Sequence, residues 1–199
     1  MAARKGSVER KTKETEVKVT LDLDGAGKAS VDTGVGMLNH LVSQIAKHGL
    51  IDIELSARGD LSTDEHHTVE DVGIVLGQAI DQALGDRTGL VRMADATVPL
   101  DEALAFVTVD LAGRGYAVVE APWTGERMGE LPTGLVNHLL WSLASEGKLT
   151  LHARVLAGVN DHHKAEAMFK ALGRALGAAS RLEPRREGDA PSTKGTLKS

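Results

Sequence analysis

Two His-His-x-x-Glu signatures, His66-His67-x-x-Glu70 and His162-His163-x-x-Glu166, stand 96 residues apart in a chain of 199. The segments leading into them repeat as well. Leu38-Asn39-His40-Leu41 answers to Val136-Asn137-His138-Leu139 at an offset of 98, with Ala46 against Ala144 and Gly49 against Gly147. Each of these segments is followed by an alternating stretch, LIDIEL or KLTLHA, and then by a loop and the signature. Farther back, residues 19–23 (VTLDL) match residues 107–111 (VTVDL). A chain that repeats strand, helix, strand, loop, helix is expected to fold as two like α+β halves, each with its helices on one face of a sheet. The halves run over 1–95 and 96–183, with a tail over 184–199.

Periodicity assigns the elements. Residues 16–23 and 50–57 alternate apolar and polar, the signal of a half-buried strand, and 29–35 forms a further strand. Leu38, Leu41, Val42 and Ile45 recur at helical spacing over 37–48, with Gly49 as the expected stop. Residues 66–84 predict a long helix. The second round opens over 98–111, with a strand at 106–111. It continues with a helix over 135–145 stopped by Gly147, a strand over 149–156 and a helix over 162–179. Residues 1–13 are basic and polar and read as a frayed start. The tail from 183, with Pro184, Pro191 and Gly195, has a composition that predicts disorder.

Composition limits the chemistry. Aromatics are 3% against 42% hydrophobic residues, so aliphatic side chains must fill the core. There is no cysteine, which excludes disulfides and thiolate sites; a transition metal must be held by His, Asp, Glu or water. A net charge of -5, with the basic residues scattered, argues against a nucleic-acid protein. No start resembling a secretory signal and no apolar run near the roughly 20 residues of a membrane span is visible. The expectation is a soluble cytoplasmic protein.

Six of the eight histidines fall in the repeated pattern: His40, His66, His67, His138, His162 and His163. An isolated histidine on a helix is usually solvated or capping, but two matched clusters point to metal. On a helix, His66 and Glu70 are i and i+4, and His67 and Glu70 are i and i+3; His162, His163 and Glu166 repeat this. Adjacent helical residues diverge by about 100°, so each His-His pair is expected to serve two different ions. Six His and two Glu then make two sites of three His and one Glu, with positions left for substrate or water. Such ligands suit Mn, Fe, Ni or Zn, and the partition between the sites stays open. His152 reads as structural, and His48 could be either.

Together the segments TGVGMLNHLVSQIAKHG (33–49), DEHHTVEDVGIVLGQAI (64–80), VPLDEALAFVTVDLAGRG (98–115), NDHHKAEAMFKALGRAL (160–176) and PSTKG (191–195) closely resemble imidazoleglycerol-phosphate dehydratase, a histidine-biosynthesis enzyme family. The resemblance spans about residues 7–197. It implies a helical bundle packed between two mixed or antiparallel sheets, built from the two halves. It also implies a homo-24-mer with active sites between subunits and two Mn ions in each site. The implied metal ligands are His40, His66, His67, Glu70, His138, His162, His163 and Glu166. The implied substrate contacts are Arg92, Arg114, Lys170, Ser192 and Lys194, with Gln44 and His48 nearby; the tail orders over the substrate to supply Ser192 and Lys194. Glu14, in the KET stretch, is the implied general base. Asp101 and Glu102 lie in a family stretch, where support behind the metal ligands is one possible role. The chain departs from the family's usual residues at Asn39, Asn137, Leu139, Met37 and Gly115, and none of these changes removes a ligand.

The chemistry gives the metals a use. The substrate loses a proton from one carbon and a hydroxyl from its neighbour, and neither leaves readily from a carbon chain beside a neutral imidazole. Divalent ions act there as Lewis acids and templates. Two other readings compete: a two-metal phosphate-ester hydrolase, which calls for bridging carboxylates that these His-rich clusters offer sparingly, and a metal-storage or sensing protein, which leaves Arg92, Arg114 and the Ser-Thr-Lys tail idle.

Overall fold

The computed structural model describes residues 4–186 and 188–197. The first half contains β1 (Lys5–Lys11), β2 (Thr15–Asp22), β3 (Ala29–Asp32), α1 (Gly36–Gly49), β4 (Asp52–Gly59) and α2 (His66–Leu84). The second contains β5 (Met93–Leu100), β6 (Ala103–Asp110), β7 (Tyr116–Glu120), a two-residue pair β8 (Arg127–Met128) and β9 (Leu131–Pro132), α3 (Thr133–Glu146), β10 (Thr150–Ala157) and α4 (Asp161–Ala179).

The sheets run β1-β2-β4-β3 and β5-β6-β10-β7. In each, three antiparallel strands are flanked by a fourth that pairs in parallel, β3 on β4 and β7 on β10. The fold is α+β and duplicated, as the repeats require. Inward residues alternate as the pleat demands: Val17, Val19 and Leu21 on β2, and Ala105, Val107 and Val109 on β6, are all buried. Phe169 is the only fully buried aromatic side chain among the described residues, so the core is aliphatic.

The helices lie between the sheets. α2 covers β1 and β2, and α4 covers β5 and β6. Across the midline the helices pair between halves, α2 against α3 and α1 against α4. Small residues allow this close approach. A Cβ on Gly73 or Gly77 would lie 2.8 or 2.6 Å from carbonyls of α3, and one on Gly173 or Gly177 would lie 2.7 or 2.4 Å from carbonyls of α1.

Several sequence expectations need correction. Residues 5–11 are a strand at a sheet edge; Lys5, Glu9 and Lys11 point to solvent, as suits an edge, while Arg10 reaches the buried Asp71. Residues 98–111 break at a turn through Asp101 and Glu102, which joins β5 to β6 in a hairpin. Gly49 does not stop α1 by a left-handed turn; Leu50 adopts that conformation, at φ 56°. Lys148 does the same after α3, at φ 48°. Gly49 is needed for packing instead, because a Cβ there would meet the Gly173 carbonyl oxygen at 2.8 Å. The repeats are also not uniform. Val19 and Val107 are 88 apart and His40 and His138 are 98 apart, so ten extra residues enter before α3. They form the β8–β9 segment.

Candidate active site

The cross-half helix pairing builds two like clusters. At the α1–α4 contact, His40 Nε2 lies 2.9 Å and His162 Nε2 3.1 Å from Glu166 Oε2. At the α2–α3 contact, His138 Nε2 lies 3.4 Å from Glu70 Oε1, and the His66 and His138 rings are 4.9 Å apart. The His40 and His162 rings are 5.2 Å apart at nearly the same tilt, 41° against 42°. Each cluster therefore joins an i, i+4 His/Glu pair from the long helix of one half to the single histidine of the other. His138 Nε2 is buried without a hydrogen-bond partner. A buried nitrogen of this kind is costly unless something accepts its lone pair or proton. Two imidazoles and a carboxylate converging on one point are a donor set that fits a divalent first-row ion.

The second histidine of each signature diverges, as the helical angle predicts. His66 and His67 rings stand at 77°, and His162 and His163 at 90°. His67 Nδ1 faces Asp60 at 3.1 Å and Glu14 at 3.8 Å. His163 Nδ1 faces Glu102 Oε2 at 2.7 Å, with Asp101 at 4.0 Å from Nε2. Within one chain the structure thus gathers two histidines and one glutamate per cluster, not three and one. Asp60 and Glu102 raise the pKa of His67 and His163 respectively, chiefly through these hydrogen bonds. A carboxylate on Nδ1 fixes the tautomer that presents Nε2 outward, the usual arrangement behind a metal-bound histidine.

The two hairpin-tip carboxylates, Glu14 before β2 and Glu102 before β6, stand at matching positions of the repeat. They differ in engagement. Glu102 accepts from His163 and from the amides of Val159 at 3.1 Å and Asn160 at 2.8 Å. These bonds lower its pKa to about 2. Glu14 is exposed, and its hairpin is anchored from below. Thr15 Oγ1 donates to the buried Asp71, and Arg10 Nε donates to the same carboxylate at 2.9 Å. The second half has Ala167 where the first has Asp71.

Along α1 and α4, beyond the first cluster, lie Gln44, His48 and Lys170. Lys170 Nζ is 2.8 Å from Glu166 Oε1. Burial raises the Glu166 carboxyl, but Lys170, His40 and His162 outweigh it and hold the pKa at about 2. Burial, and then Lys170 and Arg174, lower His48. This end of the site is cationic, and Arg174 is a member that sequence reasoning missed.

A third region collects Arg92, Arg114, Ser192 and Lys194 around a cavity of about 820 Å³, with Arg186 as an unforeseen fifth. Arg92 donates to Asp110 at 2.7 and 3.0 Å and to the Pro191 carbonyl at 2.6 Å. Leu197 is buried, and its carbonyl packs on Gly113, where a Cβ would come within 2.0 Å of it. Residues 188–197 therefore dock beside the two arginines, against Gly89 and Arg92 on one side and Gly113 on the other, where composition alone predicts disorder. The sequence-predicted set falls into three regions of the chain: Glu14 with His67, the Lys170 end, and the arginine cavity.

The two asparagines that depart from the family pattern both accept hydrogen bonds. Asn39 Oδ1 takes Thr33 N at 2.9 Å and Thr33 Oγ1 at 2.7 Å, and Asn137 Oδ1 takes Trp123 Nε1 at 3.1 Å. Each ties its helix to a preceding connection without a charge.

Comparison with known proteins agrees with this geometry. The family model for imidazoleglycerol-phosphate dehydratase matches residues 33–176. An imidazoleglycerol-phosphate dehydratase of Dehalococcoides mccartyi is 57% identical, covering 99% of this chain and 99% of its own. One of Chloroflexus aggregans is 56% identical over 98% and 95%. The crystal structure of the dehydratase from Staphylococcus aureus superposes with a TM-score of 0.81 at 33% identity, covering 90% of this chain and 99% of that one. A structure from Pyrococcus furiosus gives 0.82 at 33%, covering 95% and 99%. With the family model spanning most of its length and relatives matching almost end to end, the chain belongs to the imidazoleglycerol-phosphate dehydratase family.

Proposed function

We propose that the two clusters are the metal centres of a hydro-lyase that removes water from imidazoleglycerol phosphate, giving imidazole acetol phosphate in histidine biosynthesis. The observation that carries this reading is the pair of matched His/His/Glu clusters formed between the halves. His40, His162 and Glu166 hold one ion, and His66, Glu70 and His138 hold the other. Manganese is the ion we assign, two to a site. When bound, such ions supply Lewis-acid polarisation and a template for the ring and the leaving hydroxyl.

His67 and His163 close the coordination from neighbouring subunits. Each diverges from its own cluster and has its Nδ1 held by a carboxylate. The separation of Glu14, Lys170 and the arginine cavity on one chain supports the same view, in which an active site draws on more than one subunit of a homo-24-mer. The repeated halves 1–95 and 96–183 then act as units, and the tail 184–199 as the cover on the substrate. The reading places the enzyme in the cytoplasm, acting on a small molecule rather than on nucleic acid or a membrane. Among the described residues no helix is long and apolar enough to cross a membrane.

The chain's own groups have distinct work. Arg92, Arg114, Ser192 and Lys194, with Gln44, His48 and Lys170 toward the other end, fix the phosphate and orient the glycerol chain; guanidinium groups suit phosphate because they bind it in a planar fork. Glu14 takes the proton. The product carries its ketone on the second carbon from the ring, so hydroxide leaves from the carbon attached to the ring and the proton from the next. The enol so formed tautomerises to the ketone, and the net loss is one water. Glu102 is unsuited to the base role because three donors already occupy its oxygens.

The test is turnover of imidazoleglycerol phosphate by metal-stripped protein with and without added Mn. Ketone is followed by ultraviolet absorbance and inorganic phosphate in the same tube. Mn-dependent ketone without phosphate establishes the reading. Phosphate release points to a hydrolase, and bound metal without any turnover points to storage or sensing.

A further inference from the structure

The ten extra residues of the second half have no topological duty. In the first half, residues 33–35 alone carry the chain from β3 to α1, whereas residues 121–132 lie between β7 and α3. The longer segment touches the ligand-bearing end of all four helices. Glu130 Oε1 accepts from the Met37 amide of α1 at 3.0 Å. Arg127 reaches Glu65, the residue before His66 of α2, at 2.6 Å, and also donates to the Glu130 carbonyl. Trp123 bonds Asn137, which precedes His138 of α3. The amides of Thr124 and Gly125 converge on Asp161, which precedes His162 of α4. Met128 and Leu131 are buried and fasten the segment to the core.

α1 is the helix for which the segment supplies a missing cap. The N-cap residues of α1 and α2, like that of α3, make no side-chain cap, and their first turns hold no acidic residue; in α2 the Asp64 carboxylate already accepts from the His66 amide at 2.8 Å, which leaves α1 without a local acceptor. The first amides of a helix have no intrahelical acceptor, and a carboxylate there both satisfies them and complements the dipole. Glu130 does this for α1 from 93 residues away. Gly36 makes the approach possible, since a Cβ there would stand 2.8 Å from Glu130 Oε1. His40 follows on the next turn.

We propose that the inserted segment is a clip that sets the spacing of the two metal clusters, with Glu130 and Arg127 as positioning residues: Glu130 fixes α1, and with it His40, against α4, while Arg127 ties α2, and with it His66, to the same segment. The inference rests on the reading of the clusters as metal centres. Pairing each cluster across the halves leaves its geometry dependent on how two helices from different repeats are aligned at their starts. The clip is the one connection among the described residues that reaches all four starts.

Metal-stripped full-length protein is titrated with Co(II), read by its visible absorption, for the wild type and for Glu130→Ala, Glu130→Gln and Arg127→Ala. Loss of a group that hydrogen-bonds a metal ligand weakens the site by about 10–100-fold; Glu130 acts through the Met37 amide, three residues before His40, so the low end of that range is expected. Glu130→Ala is expected to bind Co(II) about 10-fold more weakly and with an altered visible spectrum. Glu130→Gln keeps the Met37 acceptor and is expected to restore most of both. Wild-type affinity and spectrum in Glu130→Ala, even with a lower melting temperature, make the clip merely structural and overturn the proposal. If Glu130→Ala does not fold, Arg127→Ala decides by the same criterion. If the wild type itself shows no histidine-bound Co(II) spectrum, the metal reading has failed, and the clip falls with it.

Discussion

Lys164 on α4 is one of the largest fully buried side chains among the described residues, and it is charged. Its ammonium donates to Asp161 Oδ1 and to the Pro122 carbonyl, both at 2.9 Å. Removing one member of a buried ion pair costs about 3–5 kcal/mol when the other is left bare. In Lys164→Met the carboxylate is not bare. Asp161 keeps Thr124 N at 3.0 Å, Thr124 Oγ1 at 3.1 Å and Gly125 N at 2.7 Å. What is lost is one charged hydrogen bond and the Lys164 donor to the Pro122 carbonyl, and the methionine regains most of the packing. Each loss is about 1–3 kcal/mol, toward the lower end here because Asp161 keeps three donors and the methionine refills the space, so Lys164→Met should cost about 2–4 kcal/mol. Asp161→Ala is worse. It strands a cation that is 1% exposed and releases the three donors of the clip, so it should reach about 3–5 kcal/mol. At about 2–4 °C per kcal/mol for a chain of this size, calorimetry on metal-stripped protein should show Lys164→Met melting about 4–16 °C low, with Asp161→Ala lower still. A Lys164→Met that loses less than about 1 kcal/mol, or that melts below Asp161→Ala, would show that the buried pair is not what holds the clip to α4.

Three further outcomes can be checked. Glu14→Gln should lower kcat by about 100-fold or more, the usual worth of a positioned base, while Co(II) binding stays as in the wild type; turnover within a few-fold would remove Glu14 from the base role. Gly177→Ala places a Cβ 2.4 Å from the Gly49 carbonyl oxygen and should push α1 off α4, at a cost of about 1–3 kcal/mol and with weaker metal binding at His40; Gly134→Ala, with nothing within 4 Å of its Cβ, should be neutral or stabilising. The pKa values of His67 and His163 are raised in the folded chain by Asp60 and Glu102, so their contribution is fully present below the unfolded value near 6.5 and is lost as pH climbs through the folded values. Metal-stripped wild type should therefore lose melting temperature between about pH 6 and 8 relative to an Asp60→Asn, Glu102→Gln double variant. Parallel curves would refute the assignment. With Mn present the sign reverses, because protons compete with the ion for the same nitrogens.

The sequence carries the duplication openly because each half must lay the same inward faces on its own sheet, and Val17, Val19 and Leu21 can be matched to Ala105, Val107 and Val109 by eye. The ligand types are legible for a similar reason, since an i, i+4 His/Glu pair is a local fact of one helix. The partition of those ligands is not local. It depends on α1 lying against α4 rather than α2, which is decided by glycines such as Gly77 and Gly173 that carry no chemical signal of their own. The edge strand β1 is hidden because Lys5, Glu9 and Lys11 face water, and the role of the clip is hidden because its contacts run from Glu130 to Met37 and from Arg127 to Glu65 across the chain. The comparison of Glu14 with Glu102 shows what the duplication leaves undecided. Symmetry delivers a carboxylate opposite each diverging histidine, and by the repeat alone the two are equivalent; the family resemblance, not the repeat, points to Glu14. In the fold, their surroundings separate them. The amides of Val159 and Asn160 bind Glu102 into a support for His163, while Asp71, present in one half and replaced by Ala167 in the other, anchors the hairpin that holds Glu14 out toward solvent. Glu14 rather than Glu102 is proposed as the base on that asymmetry: repetition supplies two like His/His/Glu clusters, and the residues around the repeat leave one of the two carboxylates without backbone donors among the described residues.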